Sequence, residues 1–285
     1  MSIMAIQNNS KLNRLQHDLP EGLVVDASWL EDRGYSRALR NQYVSRNWLE
    51  RVAHGVYQRP TAPLANSTTS DVPLRWQNVV VSLQTILERS LVVGGRTALE
   101  LQGFAHYLGR DFREVHVYEN GPHPTWVDKL RMDTKFVFHN ANKLFKHPLP
   151  NRLEWKEESR GMPDDLVHQP WGQWDWPLTI STPERAVLEL LDEVPQRETF
   201  HQANMLMQGL RSLSPKRLQR LLLDCRSVKV KRLFLWFAER HNHPWLKHLH
   251  RTEIDLGNGK RMLVRGGKLD PKFEITVPED LDADS

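Results

Sequence analysis

VVDASWLEDRGYSRALRNQYVSRNWLERVAHGVYQR, residues 24–59, contains the clearest pattern of helix caps, turns and apolar spacing in the N-terminal region. Asp26 is placed to cap a helix over residues 27–33, because an aspartate oxygen accepts hydrogen bonds from the free N–H groups of a first helical turn. Ser36 is placed to cap a second helix over residues 37–46 in the same way. The pattern therefore predicts two short helices joined by a tight turn.

A hairpin is predicted directly after the second helix. The short apolar runs Trp48-Leu49 and Val56-Tyr57 flank a turn at His54-Gly55. Gly34 ends the first helix, as a residue free to adopt a positive φ does. Helix, tight turn, helix and hairpin in this order predict a winged helix-turn-helix over residues 1–60.

The second helix has two faces in this prediction. Leu39 and Tyr43 are four residues apart, so they share the side that packs on the first helix. Arg37, Arg40 and Asn41 are expected to point outward, as the residues of a helix that enters a DNA major groove do. An arginine can pair with guanine and an asparagine with adenine, each pair being worth about 1–3 kcal/mol of discrimination.

Basic charge is concentrated around this helix and hairpin. Residues 33–59 contain six arginines, no lysine and one acid, Glu50. Arg46, Arg51 and Arg59 are expected to contact phosphates. The full predicted DNA-binding set is Tyr35, Ser36, Arg37, Arg40, Asn41, Arg46, Arg51, His54 and Arg59. The alternatives are a protein–protein module of the same fold and a solvated arginine-rich surface.

Composition favours an intracellular protein with ordinary cores. The chain has 285 residues, a formal net charge of +4 and one cysteine, Cys225. A single cysteine excludes a disulfide framework within the chain and suits a reducing compartment, and an inert buried thiol is favoured over a nucleophile. The sequence shows neither a secretory leader nor a long apolar span, so we expect no membrane association and a cytoplasmic location.

The sequence divides into a small and a large part. The predicted domains are the winged helix-turn-helix at 1–60, a Pro-, Ser- and Thr-rich linker at 61–73, a mixed α/β domain at 74–278 with a sub-boundary near 177–182, and an acidic tail at 279–285. The overall fold class predicted is therefore mixed α/β (α+β).

The larger part contains both helical and strand patterns. Strands are predicted at 91–93, 115–118, 136–138 and 273–277, helices at 97–102, 126–132, 215–225 and 228–240, and a strand–turn–strand unit over 254–264. Ser181 and Glu184 fit a capping box at the start of a further helix. Basic residues in this part predict a positive surface for the flanks of bound DNA, an RNA or another acidic partner, and a solvated basic face with no partner is the alternative. They are Lys229, Lys231, Arg232, Lys260, Arg261, Arg265 and Lys268.

Metal and catalytic sites are not expected. The histidines of HNHPWLKHLH, residues 241–250, include no pair four residues apart and no cysteine joins them, so no zinc site is predicted. Gly94-Gly95 matches neither phosphate-binding glycine motif. The strand beginning at Glu114 lacks the second acid that a two-metal nucleotidyltransferase site requires. We predict no cofactor and no enzyme activity, and a nucleotidyltransferase fused to a DNA-binding domain is the least favoured alternative.

Several blocks of the sequence resemble AbiEi-family antitoxins of type IV toxin–antitoxin systems. They are GYSRALRNQYVSRNWLERVAHGVYQRP, GGRTALELQGFAHYL, STPERAVLELLDEVP, SVKVKRLFLWFAERHNHPWLKHL and IDLGNGKRMLVRGGKLDPKFEITVPEDL, in this order over nearly the whole chain. The resemblance implies that the winged helix represses its own operon at inverted or direct promoter repeats. It also implies that the C-terminal part counteracts a nucleotidyltransferase-like toxin without a stable complex, in phage defence by abortive infection.

A second function fits the same residues. A winged-helix transcription factor whose larger part senses a ligand or dimerises, with no toxin, would show the same N-terminal pattern. The sequence contains no coiled coil. We therefore expect a monomer or weak dimer that pairs on double-stranded DNA.

Overall fold

The computed structural model describes residues 3–61, 74–104, 113–151, 163–172 and 174–282, with side chains from Lys11 to Leu281. Its helices are α1 Ile3–Asp18, α2 Ala27–Asp32, α3 Arg37–Ser45, α4 Trp76–Val81, α5 Gly95–Leu101, α6 Ala141–Leu144, α7 Pro183–Asp192, α8 Phe200–Gly209, α9 Pro215–Asp224 and α10 Val228–Arg240. Its strands are β1 Val24–Asp26, β2 Glu50–Ala53, β3 Val56–Gln58, β4 Leu91–Val93, β5 Glu114–Glu119, β6 Lys135–Asn140, β7 Leu166–Trp171, β8 Trp176–Ser181, β9 Lys268–Asp270 and β10 Ile275–Val277. Helices and strands alternate irregularly, so the predicted mixed α/β (α+β) class is confirmed.

The chain folds into two compact units. The first comprises Met1–Arg89, Pro122–Phe136 and Gln169–Leu178, and the second comprises Ser90–Gly121, Val137–His168 and Thr179–Ser285. The boundaries of these units differ from the predicted domain boundaries. The predicted boundaries concern parts that fold independently, so they stay a prediction. Most of the predicted linker, residues 62–73, lies outside the described residues.

The first unit is built around a small antiparallel sheet of order β1-β3-β2. Its core is apolar and includes fully buried Leu30, Tyr43, Leu49 and Val56. Burial of such side chains is the main favourable term in folding, at about 1.5–3 kcal/mol each. This core holds α2 and α3 against the sheet.

Helix α4 belongs to the same unit and is bonded to its N-terminal elements. It continues as a π-helical turn over Ser82–Ile86. Ser82 Oγ accepts a 2.8 Å hydrogen bond from Val24 N, and Trp29 Nε1 donates to Ile86 O at 3.2 Å. The helix after the predicted linker thus serves the core of the first unit.

The larger sheet has five strands in the order β6-β5-β4-β8-β7. Strand β4 runs antiparallel to β5, with Val93 opposite Val117, and parallel to β8, with Val93 opposite Ile180. Strand β4 is buried throughout, as its uniformly apolar residues predict.

A buried polar network joins α7 to this sheet. The Glu189 carboxylate accepts hydrogen bonds from Gly95 N (2.9 Å), Ser181 Oγ (3.1 Å) and Arg185 Nε (2.8 Å). Arg185 also donates to Asp165 at 2.8 Å. Burial raises the pKa of the Glu189 carboxyl, while Arg185 and the N–H of Gly95 oppose that rise.

Several local predictions are confirmed. The helices predicted over 215–225 and 228–240 are present as α9 and α10, and Ser214 and Ser227 cap them, each accepting from the backbone N–H three residues on. Cys225 is buried, and its burial raises the thiol pKa to about 11, so it is an unreactive core residue.

Three local predictions are wrong. Residues 126–132 form only a 3-10 turn at Val127–Lys129. The strand–turn–strand predicted over 254–264 does not form, because that segment is held instead by β10 and a buried arginine described below. The capping box fails because Ser181 donates to Glu189, whereas Glu184 binds Ser214 N and Arg217.

Candidate nucleic-acid interface

Helices α2 and α3 are joined by a tight turn, and each helix begins at its predicted N-cap residue. Asp26 accepts from Trp29 N at 2.9 Å, and Ser36 accepts from Leu39 N at 3.3 Å. Gly34 has φ +81°, a conformation in which a side chain would be strained. These local features fix the direction in which α3 leaves the turn.

A two-stranded ribbon follows α3. Strands β2 and β3 are antiparallel, with Arg51 opposite Tyr57, and a bulge lies between Arg51 and Ala53. His54, which is exposed, and Gly55, which has φ +75°, form the tip. The predicted hairpin is therefore present, and its middle strand β3 also pairs with β1.

The outward face of α3 carries Arg37, Ala38, Asn41 and Ser45, which are all exposed. Tyr43 faces the core and is fully buried. Within the described residues, the Arg37 side chain makes no hydrogen bond or ion pair. The structure thus brings Arg37 and Asn41 to one exposed helix face, as the sequence predicts.

Arg40 does not share that face, and its predicted outward orientation is wrong. Its side chain is turned inward and is only 3% exposed. Arg40 donates to the carbonyl of Tyr35 at 2.9 Å and to the carboxylate of Glu31 at 2.7 Å. The guanidinium therefore holds the turn between the helices, because the carbonyls there need donors that the backbone does not supply.

Three further arginines surround the exposed face and rest on aromatic rings. The guanidinium carbon of Arg33 lies 3.9 Å from the Trp29 ring centroid, and that of Arg46 lies 5.2 Å from the Trp48 centroid. Arg51 lies 5.7 Å from the centre of the Tyr57 ring. Such cation–π contacts orient an arginine while leaving its N–H groups available to an acceptor.

Two predicted site residues, Arg59 and Tyr35, already form hydrogen bonds within the fold. Arg59 donates to Gln16 O at 2.8 Å and to Glu21 at 2.9 Å. Tyr35 is buried and donates its hydroxyl to Lys11 O at 3.1 Å, and burial raises its pKa. The phosphate contact predicted for Arg59 would require it to leave an existing ion pair, and Tyr35 is a core residue.

The exposed face is strongly positive because its arginines lack acidic partners. Arg33, Arg37, Arg46 and Arg51 form no ion pair with any carboxylate of the described residues. The single acid of residues 33–59, Glu50, accepts from Gln58 at 2.7 Å. Four unneutralised guanidinium groups around one exposed helix give the charge pattern expected of a polyanion-binding surface.

Sequence reasoning missed a contribution from α1. Lys11 is exposed and donates from Nζ to Gly34 O at 3.1 Å, directly at the turn before α3. Arg14, one turn further along α1, is 67% exposed. The sequence contained a signal for this contribution of α1. The helical spacing of Lys11, Arg14 and the buried Leu15 places both cations beside an apolar stripe.

Three of the seven residues of the predicted C-terminal basic surface are buried or bonded within the fold. Arg232 is 2% exposed and donates to the carbonyls of Leu256, Gly257, Gly259 and Glu274 at 2.7–3.3 Å. Lys231 is 5% exposed. Lys229 donates to Asp192 O and Val194 O at 2.5 and 2.9 Å. The surface role predicted for Lys229, Lys231 and Arg232 is therefore wrong, because backbone carbonyls or the core take up these side chains.

The other four residues of that surface are exposed. Lys260, Arg261, Arg265 and Lys268 lie on a segment of residues 257–268, which we call the basic loop, and all four are exposed. Thr276 Oγ1 accepts from the backbone N–H groups of Leu263 and Val264 at 2.8 and 3.0 Å, so β10 holds the loop on one side. The loop contains no acidic residue.

The described residues give little support to a metal site or to a phosphate-binding glycine turn. No group of three metal-ligating side chains is present there. His243 is buried and bonded to Met207 O at 2.7 Å. The glycine turn at Gly94-Gly95 already holds the Glu189 carboxylate where an anion would bind.

Comparison with known families agrees with this geometry. A family model described as the N-terminal domain of AbiEi antitoxin transcriptional regulators matches residues 8–110. A second, described as the AbiEi antitoxin transcriptional regulator of type IV toxin–antitoxin systems, matches residues 113–278. The chain is thus a transcriptional regulator. It belongs to the AbiEi antitoxin family of type IV toxin–antitoxin systems.

A solved structure has a similar fold. The crystal structure of the RV2827C protein from Mycobacterium tuberculosis aligns with a TM-score of 0.52 at 14% identity, covering 93% of this chain and 88% of that one. At this identity the likeness concerns the fold alone. No curated protein matches the chain. None of the helices in the described residues is long and apolar enough to cross a bilayer.

Proposed function

We propose that residues 24–59 act as a winged helix-turn-helix that binds double-stranded DNA in the promoter of the protein's own operon and represses it. Helix α3 is the recognition helix, and the β2–β3 ribbon is the wing. The observation that carries this proposal is the exposed α3 face of Arg37 and Asn41 among arginines that no carboxylate neutralises. Such a regulator acts in the cytoplasm, where its DNA lies.

The residues have distinct roles in this proposal. Arg37 and Asn41 contact base edges in the major groove, because both are exposed on the face that α3 presents. Arg46, together with Lys11 and Arg33, contacts phosphates. Ser36 caps the recognition helix, and His54 at the wing tip lies beside the DNA backbone. Two copies bind neighbouring repeats, because one winged helix covers a small site.

A binding titration tests the DNA-binding role. The duplex upstream of the protein's own gene competes against a scrambled duplex of equal length at physiological salt. Selective binding is expected for the wild type, and Arg37→Ala and Asn41→Ala should each lower the preference by about 1–3 kcal/mol. Arg211→Ala removes an exposed arginine of the second unit and serves as the matched control. Equal binding of both duplexes by the wild type would contradict the proposal.

The antitoxin activity is assigned to the C-terminal part. We propose that Lys260, Arg261, Arg265 and Lys268 counteract the nucleotidyltransferase-like toxin of the same operon, without a stable complex. Family membership and the uncompensated charge of the basic loop support this role. Co-expression with that toxin should show loss of protection when all four are changed to serine. Retained protection would contradict the assignment, and the Arg37→Ala variant, which should still protect, is the control.

A further inference from the structure

Asn41 on the recognition helix is held by a residue of the wing. Arg51 Nη2 donates a hydrogen bond to Asn41 Oδ1 at 3.2 Å. A guanidinium carries only donors, so the amide oxygen must face it, and the opposite orientation would bring two donors together. The Asn41 Nδ2 group is therefore turned away from Arg51, and it has no partner among the described residues.

The position of Arg51 is set by the wing and not by α3. Arg51 lies opposite Tyr57 in the β2–β3 pair, and its guanidinium carbon lies 5.7 Å from the centre of the Tyr57 ring. Tyr57 is 4% exposed, on the middle strand of the sheet. Arg40, from inside the turn, lies 5.9 Å from the same ring centre. The ring is thus a fixed support for the arginine that holds Asn41.

This arrangement matches the edge of an adenine. Adenine offers one acceptor, N7, and one donor, the N6 amino group, in the major groove. An asparagine reads both at once only when its amide is turned the right way. With Arg51 on one lone pair of Oδ1, the other lone pair can accept from N6 while Nδ2 donates to N7. A fixed amide also loses less rotational freedom on binding.

We propose that Arg51 is a positioning residue that orients the Asn41 amide, so that wing and recognition helix together read one adenine·thymine pair. This inference rests on the function proposed above. It gives Arg51 a role in sequence preference, whereas its charge alone predicts a contact to phosphate.

Base-by-base binding measurements test the inference. Duplexes selected by the wild-type full chain from a random library are substituted at every base pair, and affinities are compared by fluorescence anisotropy. Asn41→Ala and Arg51→Ala should each lose about tenfold or more of the preference at one and the same A·T pair. The double variant should lose no more than either single variant, since both remove one joint contact. Arg46→Ala, which also removes an exposed arginine beside α3, should weaken all duplexes equally.

A measurement without DNA tests the geometry itself. The two side-chain amide protons of Asn41, observed by NMR in selectively labelled protein, should change chemical shift in Arg51→Ala and remain close to wild type in Arg46→Ala. Arg51→Lys keeps a cationic group with N–H donors and should restore part of the base preference that Arg51→Ala loses. A purely structural role for Arg51 would instead lower the unfolding midpoint and leave the base preference unchanged.

The unfavourable outcomes are distinguishable. If Arg51→Ala weakens every duplex equally while Asn41→Ala loses one position, the inference is overturned and the proposed function stands. If the Asn41 resonances are the same in Arg51→Ala and wild type, the inference is also overturned. If the wild type selects no sequence, the proposed function fails and takes the inference with it.

Discussion

Replacement of Arg40 by alanine separates a structural arginine from a base-reading one on the same helix. The side chain is 3% exposed and ties the turn between α2 and α3 to the core. Its loss leaves the carbonyl of Tyr35 buried without a donor, which costs about 1–3 kcal/mol. The bond to Glu31 adds at most about 1 kcal/mol, because that carboxylate is 59% exposed. Removal of the aliphatic part of the Arg40 side chain also leaves a cavity, which lowers the stability further.

One contribution acts in the other direction. Arg40 Nε is buried with no hydrogen-bond partner among the described residues, so its removal relieves a desolvated donor. We therefore expect the free energy of local unfolding of α2 and α3 to fall by about 3 kcal/mol. Since 1.4 kcal/mol corresponds to a factor of ten, amide hydrogen exchange of these helices should accelerate about a hundredfold.

Hydrogen exchange followed by mass spectrometry measures this change, and Arg37→Ala is the matched control. That variant removes an exposed arginine three residues away and should leave the exchange rates unchanged. DNA binding should show the reverse pattern: Arg40→Ala weakens binding to all duplexes equally, and Arg37→Ala loses base preference. Wild-type exchange rates in Arg40→Ala, together with a loss of preference at one base pair, would refute the assignment of Arg40 to the turn.

Three further predictions concern other residues. Arg46→Ala should reduce the slope of log affinity against log salt by about one unit, as removal of one phosphate contact does; an unchanged slope would contradict that role. Arg232→Ala should lower the stability of the second unit by about 3–5 kcal/mol in calorimetry, because four carbonyls lose their donor, whereas Lys260→Ala should leave it unchanged. His116 is buried beside His139, and burial lowers its pKa from 6.5 to about 4, so the fold favours its neutral form. The contribution of neutral His116 to the free energy of unfolding is complete above pH 6.5 and is lost as the pH falls towards 4. Between pH 7 and 5, we expect the free energy of unfolding of His116→Asn, measured in urea, to fall by about 2 kcal/mol less than that of the wild type. An equal fall in both proteins would contradict this account.

Local signals in the sequence were enough for the elements that carry the candidate interface. Asp26 and Ser36 cap their helices, and the turn at His54-Gly55 joins two strands, because each feature depends on residues within four positions in the chain. Apolar spacing likewise identified Tyr43 as a core residue. The placement of Arg37 and Asn41 on the exposed face follows from the same periodicity.

Long side chains and distant partners could not be predicted in this way. Arg40 lies at the border of the two faces of α3, and its length lets it reach carbonyls in the turn and at the start of α2. Arg232 binds backbone groups 24 to 42 residues away. Helical periodicity says where a Cβ points but not which carbonyls lack donors, so it placed Arg40 on the exposed face. The basic charge of the C-terminal part placed Arg232 on a surface for want of the same information.

The anchoring of the basic loop by Arg232 has a consequence for how this protein can change over time. Apart from the Glu274 carboxylate, the acceptors that Arg232 binds are main-chain carbonyls, and none of them belongs to residues 260, 261, 265 or 268. Side chains at 260, 261, 265 and 268 can therefore be exchanged without loss of the bonds that hold the loop. Because the bonds that hold the loop do not depend on these four side chains, an antitoxin of this fold can alter what it presents outward while its scaffold stays the same.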